Sequence, residues 1–332
     1  MQKTVAVLGA GNMGTAVAQV LADNEYLVKI WNWEGDLEPL KQIEKFAENK
    51  KYLPGFKLSK NIKPCYKIAE AVENAKIIFF VVPSGVMEHT ISFAARSIPA
   101  KAILVDVSKG VEPNSLCLLT EVIKKHVDAG LKKNIVTISG PAIARQIMER
   151  KFTAMNIASK NNLAMQEVIK AVQNSYVKLI PTNDVIGVEI GGSFKNVYAI
   201  AMGMCDSLGY ALNTKAVLIV KALDEIANLT SAMGGKRHTA YELAGLGDLI
   251  GTSLCDESRN RTFGEYLGKG LKPGVALKRV GQTVEGVSAV HCLKRLGEKY
   301  KINLPFANMV YDCVQLGNVK TKLNKYLDTK IT

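Results

Sequence analysis

Residues 5–24 read VAVLGAGNMGTAVAQVLADN, and this stretch decides the fold of the first half of the chain. An apolar run ending at Leu8 predicts a buried strand, and the residues from Gly14 onward predict a helix. Between them lies G-x-G-x-x-G: Gly9 permits a tight turn, Gly11 lets backbone approach a pyrophosphate, and Gly14 allows close helix–strand packing. The first N–H groups of the helix would then face the pyrophosphate. The stretch predicts dinucleotide binding; the alternative is a glycine-rich turn kept for packing alone.

The end of the next predicted strand bears on which dinucleotide is bound. Glu34 lies 20 residues after Gly14, and no arginine occurs between Gly14 and Arg96. An acidic residue at about this spacing usually accepts the ribose hydroxyls, whereas an arginine there accommodates a 2′-phosphate. NAD is therefore favoured, with Trp33 expected against the adenine. The lysines at 50, 51 and 57 keep NADP possible.

The rest of the first half repeats the alternation of strand and helix. Nearly continuous apolar runs are typical of parallel strands that are covered on both faces. The predicted strands are TVAVLGA (4–10), LVKIWNW (27–33), KIIFFVVP (76–83), AILVDVS (102–108), NIVTIS (134–139) and TAMNIAS (153–159), and helical segments at 14–23, 67–74, 114–129 and 162–174 fall between most of them. Repeated βα units predict an α/β fold with a Rossmann-like, doubly wound parallel sheet.

A different pattern begins near residue 185. The segment PTNDVIG (181–187) breaks local structure, and Ala-, Leu- and Gly-rich helical sequence follows it. We therefore expect an NAD-binding Rossmann domain at 1–184 and an all-helical substrate and catalytic domain at 185–332. A ligand is expected between the two domains.

Composition argues against several classes of protein. With 48% hydrophobic and 22% charged residues the chain resembles an ordinary folded, soluble protein. No apolar run approaches the length of about 18 residues that spans a bilayer, and the N-terminus enters a strand without a secretory signal, so a cytoplasmic protein without membrane insertion is expected. The net charge of +13 is spread along the chain, which favours small anionic ligands over nucleic acid.

The cysteines give no sign of a metal site or a disulfide framework. They are scattered, with no CxxC pair and no histidine at metal spacing, and we expect reduced thiols and no metal. The six are Cys65, Cys117, Cys205, Cys255, Cys292 and Cys313.

Lys195 lies within VEIGGSFKNVYAIAMG (188–203), a run that otherwise predicts a buried helix. Burial of an unpaired ammonium group costs several kcal/mol, which indicates that Lys195 has a functional role. The structural alternative is a side chain that extends along the helix until its charged end reaches water.

Nine motifs, in order and at family-like spacing, now identify a resemblance that covers essentially the whole chain. They are GAGNMGTA (9–16), NKKYLPGFKL (49–58), VVPS (81–84), SKG (108–110), GVEIGGSFKNVYAIAMGM (187–204), NTKA (213–216), AGLGDLIGT (244–252), SRNRTFG (258–264) and VEG (284–286). Together they resemble the NAD(P)-dependent glycerol-3-phosphate dehydrogenases. The resemblance implies reversible reduction of dihydroxyacetone phosphate to sn-glycerol 3-phosphate, a precursor of phospholipids, and we expect a homodimer.

The resemblance also implies roles for particular residues. Lys195 would donate and accept the proton, with Lys109 beside the substrate and Asp248 completing the catalytic set. The substrate would further contact Gly140, Asn196, Thr252, Ser258, Arg259 and Asn260. Besides Gly9, Gly11, Gly14, Trp33 and Glu34, the cofactor would contact Asn12, Met13, Lys109, Ala144, Arg259, Thr283 and Glu285.

The chemistry of ketone reduction agrees with these roles. Hydride addition builds negative charge on the carbonyl oxygen, so the site needs a proton donor and a stabilising cation. A lysine donates near neutral pH only if its pKa is depressed, and burial or a second ammonium group lowers it. Lys195 in an apolar helix and Lys109, after the strand AILVDVS, could provide both conditions. Asp248, in a glycine-rich turn, can orient the lysines.

SRNR (258–261) offers a cap, a guanidinium group and a helix N-terminus, which together predict a phosphate site. The alternative is a capped surface helix with two solvated arginines.

The chain departs at one place from the family that it resembles. Bacterial members of that family usually show the pattern GP[ST]xAxE, whereas this chain has GPAIARQ (140–146), with Ala142 in place of the hydroxyl residue and Gln146 in place of the glutamate. The hydroxyl group that the resemblance would place in contact with the substrate is therefore absent at position 142.

Two other functions remain open from sequence. The first is a related dehydrogenase with the same two-domain plan, such as a hydroxyacid or ketopantoate reductase. The second is a catalytically silent NAD-binding module, against which the presence of Lys109, Lys195, Asp248 and Arg259 argues.

Overall fold

A computed structural model describes residues 3–253 and 258–331 of the chain. The chain divides into two compact units, Met1–Val185 and Ile186–Thr332. The first unit is a sheet with helices and the second is helical.

The first unit contains a sheet of eight strands within the described residues. The strands are β1 Thr4–Leu8, β2 Leu27–Trp31, β3 Ile62–Cys65, β4 Ile77–Phe80, β5 Ile103–Asp106, β6 Ile135–Ser139, β7 Thr153–Ala158 and β8 Val177–Thr182. Its helices are α1 Asn12–Asp23, α2 Glu38–Phe46, α3 Ile68–Val72, α4 Met87–Ala94, α5 Leu119–His126, α6 Ala144–Met148 and α7 Asn162–Val172.

The strand order is β3-β2-β1-β4-β5-β6-β7-β8, and every neighbouring pair except one is parallel. The predicted Rossmann-like architecture is confirmed, but the expectation of a wholly parallel sheet is corrected, because β7 pairs antiparallel with β6. The connection from β6 to β7 contains only the short helix α6. The chain therefore enters β7 at the same end of the sheet at which it left β6, and the two strands run in opposite directions.

The sheet is buried on both faces, which explains the continuous apolar runs. Along β1, Val5 and Val7 belong to one hydrophobic cluster, whereas Ala6 and Leu8 belong to the cluster on the opposite face. Because side chains alternate along a strand, a sheet with two covered faces needs apolar residues at every position.

The described part of the second unit is built from helices. They are α8 Val185–Ser193, which begins at the last residue of the first unit, α9 Lys195–Ser207, α10 Leu212–Ala232, α11 Asp248–Ser253, α12 Arg259–Gly268, α13 Pro273–Val280, α14 Glu285–Tyr300, α15 Pro305–Leu316 and α16 Val319–Lys330. Helix α9 is buried from Lys195 to Cys205 and packs against α11, α12, α14 and α15.

Lys195 does not lie inside one continuous helix, which corrects the expectation from sequence. The helix of residues 185–193 ends after two glycines and Ser193, residues with low helix propensity. Phe194 then caps a new helix whose first residue is Lys195.

Among the described residues, no helix is both long and apolar enough to cross a membrane. The five cysteines in these ranges form no disulfide with one another. Cys255 lies outside the described residues.

Candidate active site

The glycine loop has the geometry that the motif predicted. Gly9 has φ +115°, and a Cβ there would lie 2.3 Å from the carbonyl oxygen of Val81. A Cβ at Gly14 would lie 1.8 Å from the carbonyl oxygen of Gly9, so both glycines are required by packing. A Cβ at Gly11 would meet no atom within 4 Å, although Gly11 caps α1. The open space therefore lies at the helix N-terminus, where a pyrophosphate would bind.

Two asparagines that were not among the residues predicted from sequence hold the middle of this loop. The backbone N–H of Ala10 donates to Oδ1 of Asn32 at 3.1 Å. The fully buried Asn49 donates through Nδ2 to the carbonyl oxygen of Ala10 at 2.9 Å and to Oγ1 of Thr15 at 2.8 Å. Both peptide groups of Ala10 are thus fixed by side chains. Asn49 belongs to NKKYLPGFKL, the only sequence signal that pointed toward it.

The end of β2 exposes the residues predicted to contact the adenosine. Trp33 is 61% exposed and its ring lies over Gly35, while Glu34 is exposed at the start of a short 3₁₀ turn, Glu34–Asp36. Contact of either residue with a cofactor stays a prediction. Asp36, which is not among the predicted site residues, accepts hydrogen bonds from Lys51 at 2.7 Å and Tyr52 at 2.6 Å.

Lys109 lies three residues beyond β5, as predicted. Its Nζ donates to the carbonyl oxygen of Gly140 at 3.1 Å, which joins two predicted substrate residues. The turn before it is held by Asp106, whose Oδ1 accepts from the N–H of Ser108 at 2.9 Å.

The predicted residues of the first unit lie at one edge of the sheet. Strands β1, β2, β5 and β6 are parallel, and the residues follow their carboxyl ends, where open α/β sheets bind ligands. They are Gly9, Gly11, Asn12, Met13 and Gly14 after β1, Trp33 and Glu34 after β2, Lys109 after β5, and Gly140 and Ala144 after β6.

In the second unit Lys195 forms an ion pair with Asp248. Lys195 is 8% exposed and Asp248 is 1% exposed, so both charges are largely removed from water. Asp248 is the first residue of α11 and follows a π-helical turn, Leu243–Gly247, which refines its predicted place in a glycine-rich turn. The close charged partner excludes the reading of Lys195 as a side chain whose ammonium group simply reaches bulk water.

The N-termini of α9, α12 and α14 are joined by hydrogen bonds. Asn196, second in α9, donates through Nδ2 to Oε2 of Glu285, first in α14, at 3.0 Å. The N–H of Gly286, second in α14, donates to Oδ1 of Asn260, second in α12, at 2.8 Å. Each helix N-terminus carries about half a positive charge, so their convergence favours an anionic group.

The two arginines of SRNR have different environments. Ser258 caps α12 and accepts a hydrogen bond from the N–H of Arg261 at 3.4 Å. The Arg261 side chain donates to Asp206 at 2.7 Å, and Lys215 binds the same carboxylate at 2.7 Å. Burial opposes ionisation of Asp206, but these two bonds hold its pKa below the ordinary value. Arg261 is therefore structural, whereas Arg259 is exposed at the first position of α12.

The positions of the remaining two predicted residues, Thr252 and Thr283, do not by themselves indicate a ligand contact. Thr252 is half-buried on α11, and Thr283 is exposed two residues before α14 begins. Residues 254–257, between Thr252 and Ser258, lie outside the described residues.

Comparison with known proteins agrees with the two-part arrangement. Residues 4–165 match the model of the NAD-dependent glycerol-3-phosphate dehydrogenase N-terminus, and residues 184–323 match that of its C-terminus. A glycerol-3-phosphate dehydrogenase [NAD(P)+] of Bacillus licheniformis is 40% identical over 308 residues, 92% of this chain and 88% of that protein.

Solved structures give the same relationship. A glycerol-3-phosphate dehydrogenase from Coxiella burnetii superposes with a TM-score of 0.92 at 32% identity, over 98% of this chain and 99% of that one. A ketopantoate reductase from Ralstonia eutropha shares the fold alone, with a TM-score of 0.60 at 13% identity over 98% of this chain and 100% of that one. The chain belongs to the NAD-dependent glycerol-3-phosphate dehydrogenase family.

Proposed function

We propose that this chain interconverts dihydroxyacetone phosphate and sn-glycerol 3-phosphate with NAD(P). The observation that carries the proposal is the buried Lys195–Asp248 pair in the same unit as the joined N-termini of α9, α12 and α14. A proton donor and an anion-binding region are the two features that a phosphorylated ketone requires.

The proposed proton donor is Lys195. The coenzyme supplies the hydride when it is bound at the glycine loop, and negative charge then develops on the substrate oxygen. Lys195 donates a proton to that oxygen and takes it back in the reverse reaction. Asp248 orients the ammonium group through their ion pair. Lys109, held against Gly140, contributes a second positive charge toward the substrate.

We assign the substrate phosphate to the start of α12. Arg259 is exposed there, and its guanidinium can bind two phosphate oxygens at once. Asn260 and Ser258 complete this end of the site, with Asn196 nearby through Glu285. Thr252 and Gly140 are further substrate contacts in this proposal.

The coenzyme is assigned to the glycine loop and the residues near it. Asn12 and Met13 begin α1, whose open N-terminus suits a pyrophosphate. Ala144, Thr283, Glu285 and Arg259 complete the proposed cofactor contacts. The exposed Glu34 and the absence of an arginine between Gly14 and Arg96 support a preference for NAD. We further propose a cytoplasmic homodimer that supplies glycerol phosphate for phospholipid synthesis.

Spectrophotometric oxidation of NADH, followed with several ketones, tests this function. We expect turnover with dihydroxyacetone phosphate and little with ketopantoate or other 2-oxo acids, because the proposal assigns Arg259 and the N-terminus of α12 to a phosphate group. Turnover of a 2-oxo acid without turnover of dihydroxyacetone phosphate would contradict the substrate assignment. NADH binding without oxidation of any substrate would indicate a silent binding module.

A further inference from the structure

A closed ring of contacts surrounds the glycine loop. The N–H of Ala10 bonds to Asn32, and Nδ2 of Asn32 donates to the carbonyl oxygen of Asp36 at 2.7 Å. The Asp36 carboxylate accepts from Tyr52, and the N–H of Tyr52 donates to Oδ1 of Asn49 at 3.3 Å. Asn49 returns to the carbonyl oxygen of Ala10. Three separate segments are thereby fixed to one another.

Asp36, a member of this ring, holds the ammonium group of Lys51 beyond the end of β2. Lys51 Nζ bonds to Oδ1 of Asp36 at 2.7 Å. Burial opposes ionisation of Asp36, but the bonds from Lys51 and Tyr52 keep its pKa below the ordinary value, so the carboxylate is charged. The end of the second strand is the region where dinucleotide-binding folds recognise the 2′ position of the adenosine ribose. A positive charge there favours a 2′-phosphate, unless something neutralises it.

The neighbouring lysines have other partners. The Lys50 ammonium lies 4.2 Å from the centre of the Phe46 ring, and Lys57 Nζ donates to the carbonyl oxygen of Phe46 at 2.9 Å. Lys51 alone of these three is bound to a residue of the turn that follows β2. It is also 43% exposed, which leaves its ammonium group able to exchange partners.

We propose that Asp36 and Lys51 form a coenzyme-selecting pair, in which Lys51 is a ligand for the 2′-phosphate of NADP that Asp36 keeps occupied. Free Lys51 favours NADP, and Lys51 bound to Asp36 favours NAD. Glu34 keeps its proposed role toward the ribose hydroxyls. The inference rests on the coenzyme assignment in the proposed function but not on the identity of the substrate.

The test compares dissociation constants for NADH and NADPH, measured by fluorescence titration without substrate. The variants are Asp36→Asn, Lys51→Gln, the double variant, and Lys50→Gln as a matched control. Asp36→Asn keeps an oxygen for Tyr52 and releases Lys51. We expect its preference to move toward NADPH by about tenfold, the scale of one charged hydrogen bond. Lys50→Gln should leave the preference unchanged.

The double variant decides whether Lys51 is the ligand. If it is, removal of Lys51 abolishes the gain in NADPH affinity. A gain that survives in the double variant would overturn the proposal, since loss of the Asp36 charge alone would explain it. If Asp36→Asn disturbs the fold, which a thermal melt would reveal, Lys51→Gln still decides. Because the exposed ammonium group of Lys51 can exchange Asp36 for a bound 2′-phosphate, its removal should weaken NADPH binding by a smaller, several-fold factor and leave NADH binding intact. Equal NADPH affinity would refute the pair.

The result is separable from the proposed function. A protein that binds both coenzymes with the expected changes but fails to reduce dihydroxyacetone phosphate would support the selecting pair and contradict the substrate assignment. Normal turnover of dihydroxyacetone phosphate with unchanged coenzyme preference in every variant would support the substrate assignment and contradict the selecting pair.

Discussion

At the scale of single residues, Lys195 and Asp248 show how the helix termini bear on the proposed chemistry. The N-terminus of a helix favours a carboxylate and disfavours a cation. Asp248 at the start of α11 is therefore stabilised, whereas Lys195 at the start of α9 is not. Their ion pair compensates for this and for burial. The pair therefore holds the ammonium group of Lys195 at a defined position, where it can be directed at a substrate oxygen.

Glu225 is a buried acidic residue of the second unit, and it has a role outside the proposed chemistry. It accepts hydrogen bonds from the N–H groups of Phe306 at 2.6 Å and Ala307 at 2.9 Å, and from the Tyr198 hydroxyl at 2.9 Å. It thereby links α10, α9 and the start of α15. Burial raises the pKa of Glu225 to about 7, although these three bonds act in the opposite direction.

This raised pKa predicts a pH dependence of stability. Between its ordinary pKa of 4.5 and about 7, Glu225 stays protonated in the folded chain and ionises in the unfolded chain. The folded state then binds more protons, so the free energy of unfolding decreases as pH rises through this range, by about 3 kcal/mol for this group. We expect Glu225→Gln to remove that dependence in urea unfolding from pH 4.5 to 7.5.

The comparison requires a control at an exposed carboxylate. Glu298→Gln, on the surface of α14, should leave the pH dependence of wild type unchanged. A constant difference in unfolding free energy between wild type and Glu225→Gln across the range would show that the buried carboxyl does not titrate there.

Candidate site residues could be predicted from sequence only where burial of a charged group would be energetically costly, or where a recognisable motif contained them. Lys195 was recognisable because a lysine in an apolar run needs a partner, and its partner Asp248 was already among the candidates. Asn49 and Asn32 were not recognisable, because asparagine is common in loops. Asn49 also forms hydrogen bonds with Ala10 and Thr15, which precede it in the chain by 39 and 34 positions, so only the fold brings them together.

At the scale of elements, close contact between α9 and α12 brings the candidate groups together. A Cβ at Gly203 would lie 1.9 Å from the carbonyl oxygen of Arg261, and one at Gly264 would lie 1.9 Å from that of Ile200. The two backbones therefore touch through glycines. This approach sets the position of Asn260 relative to Lys195 and Asn196.

Gly264→Ala should separate these helices. Overpacking against backbone costs about 1–3 kcal/mol, so the free energy of unfolding in urea should fall by that amount despite the better helix propensity of alanine. We also expect a higher KM for dihydroxyacetone phosphate, because Arg259 and Asn260 move with α12. Gly274→Ala is the matched control, since a Cβ there would meet no atom within 4 Å. Equal stability of the two variants would contradict close packing of α9 on α12.

The strands that the sequence predicted were those with long apolar runs, and all six formed. Strands β3 and β8 were missed because each is an edge strand that contains proline, Pro64 in IKPC and Pro181 in VKLIPT. Proline weakens a strand signal but is tolerated at a sheet edge. The antiparallel pairing of β6 with β7 was equally invisible, because an apolar run does not encode strand direction.

At the scale of the whole molecule, the two units hold different parts of the proposed reaction. The glycine loop with its asparagines belongs to the first unit, and the buried ion pair with the joined helix N-termini belongs to the second. The order of these parts in the sequence was sufficient to identify the family, because motifs from both halves occur at the expected spacing. Coenzyme affinity and proton transfer should consequently be separable by mutation.

The most direct test of this account is the kcat of Lys195→Ala with dihydroxyacetone phosphate and NADH, measured beside the NADH dissociation constant. We expect kcat to fall by at least about 10²-fold, the scale of lost acid–base catalysis, while NADH affinity stays at the wild-type value. A kcat close to that of wild type would contradict the assignment of Lys195 as the proton donor.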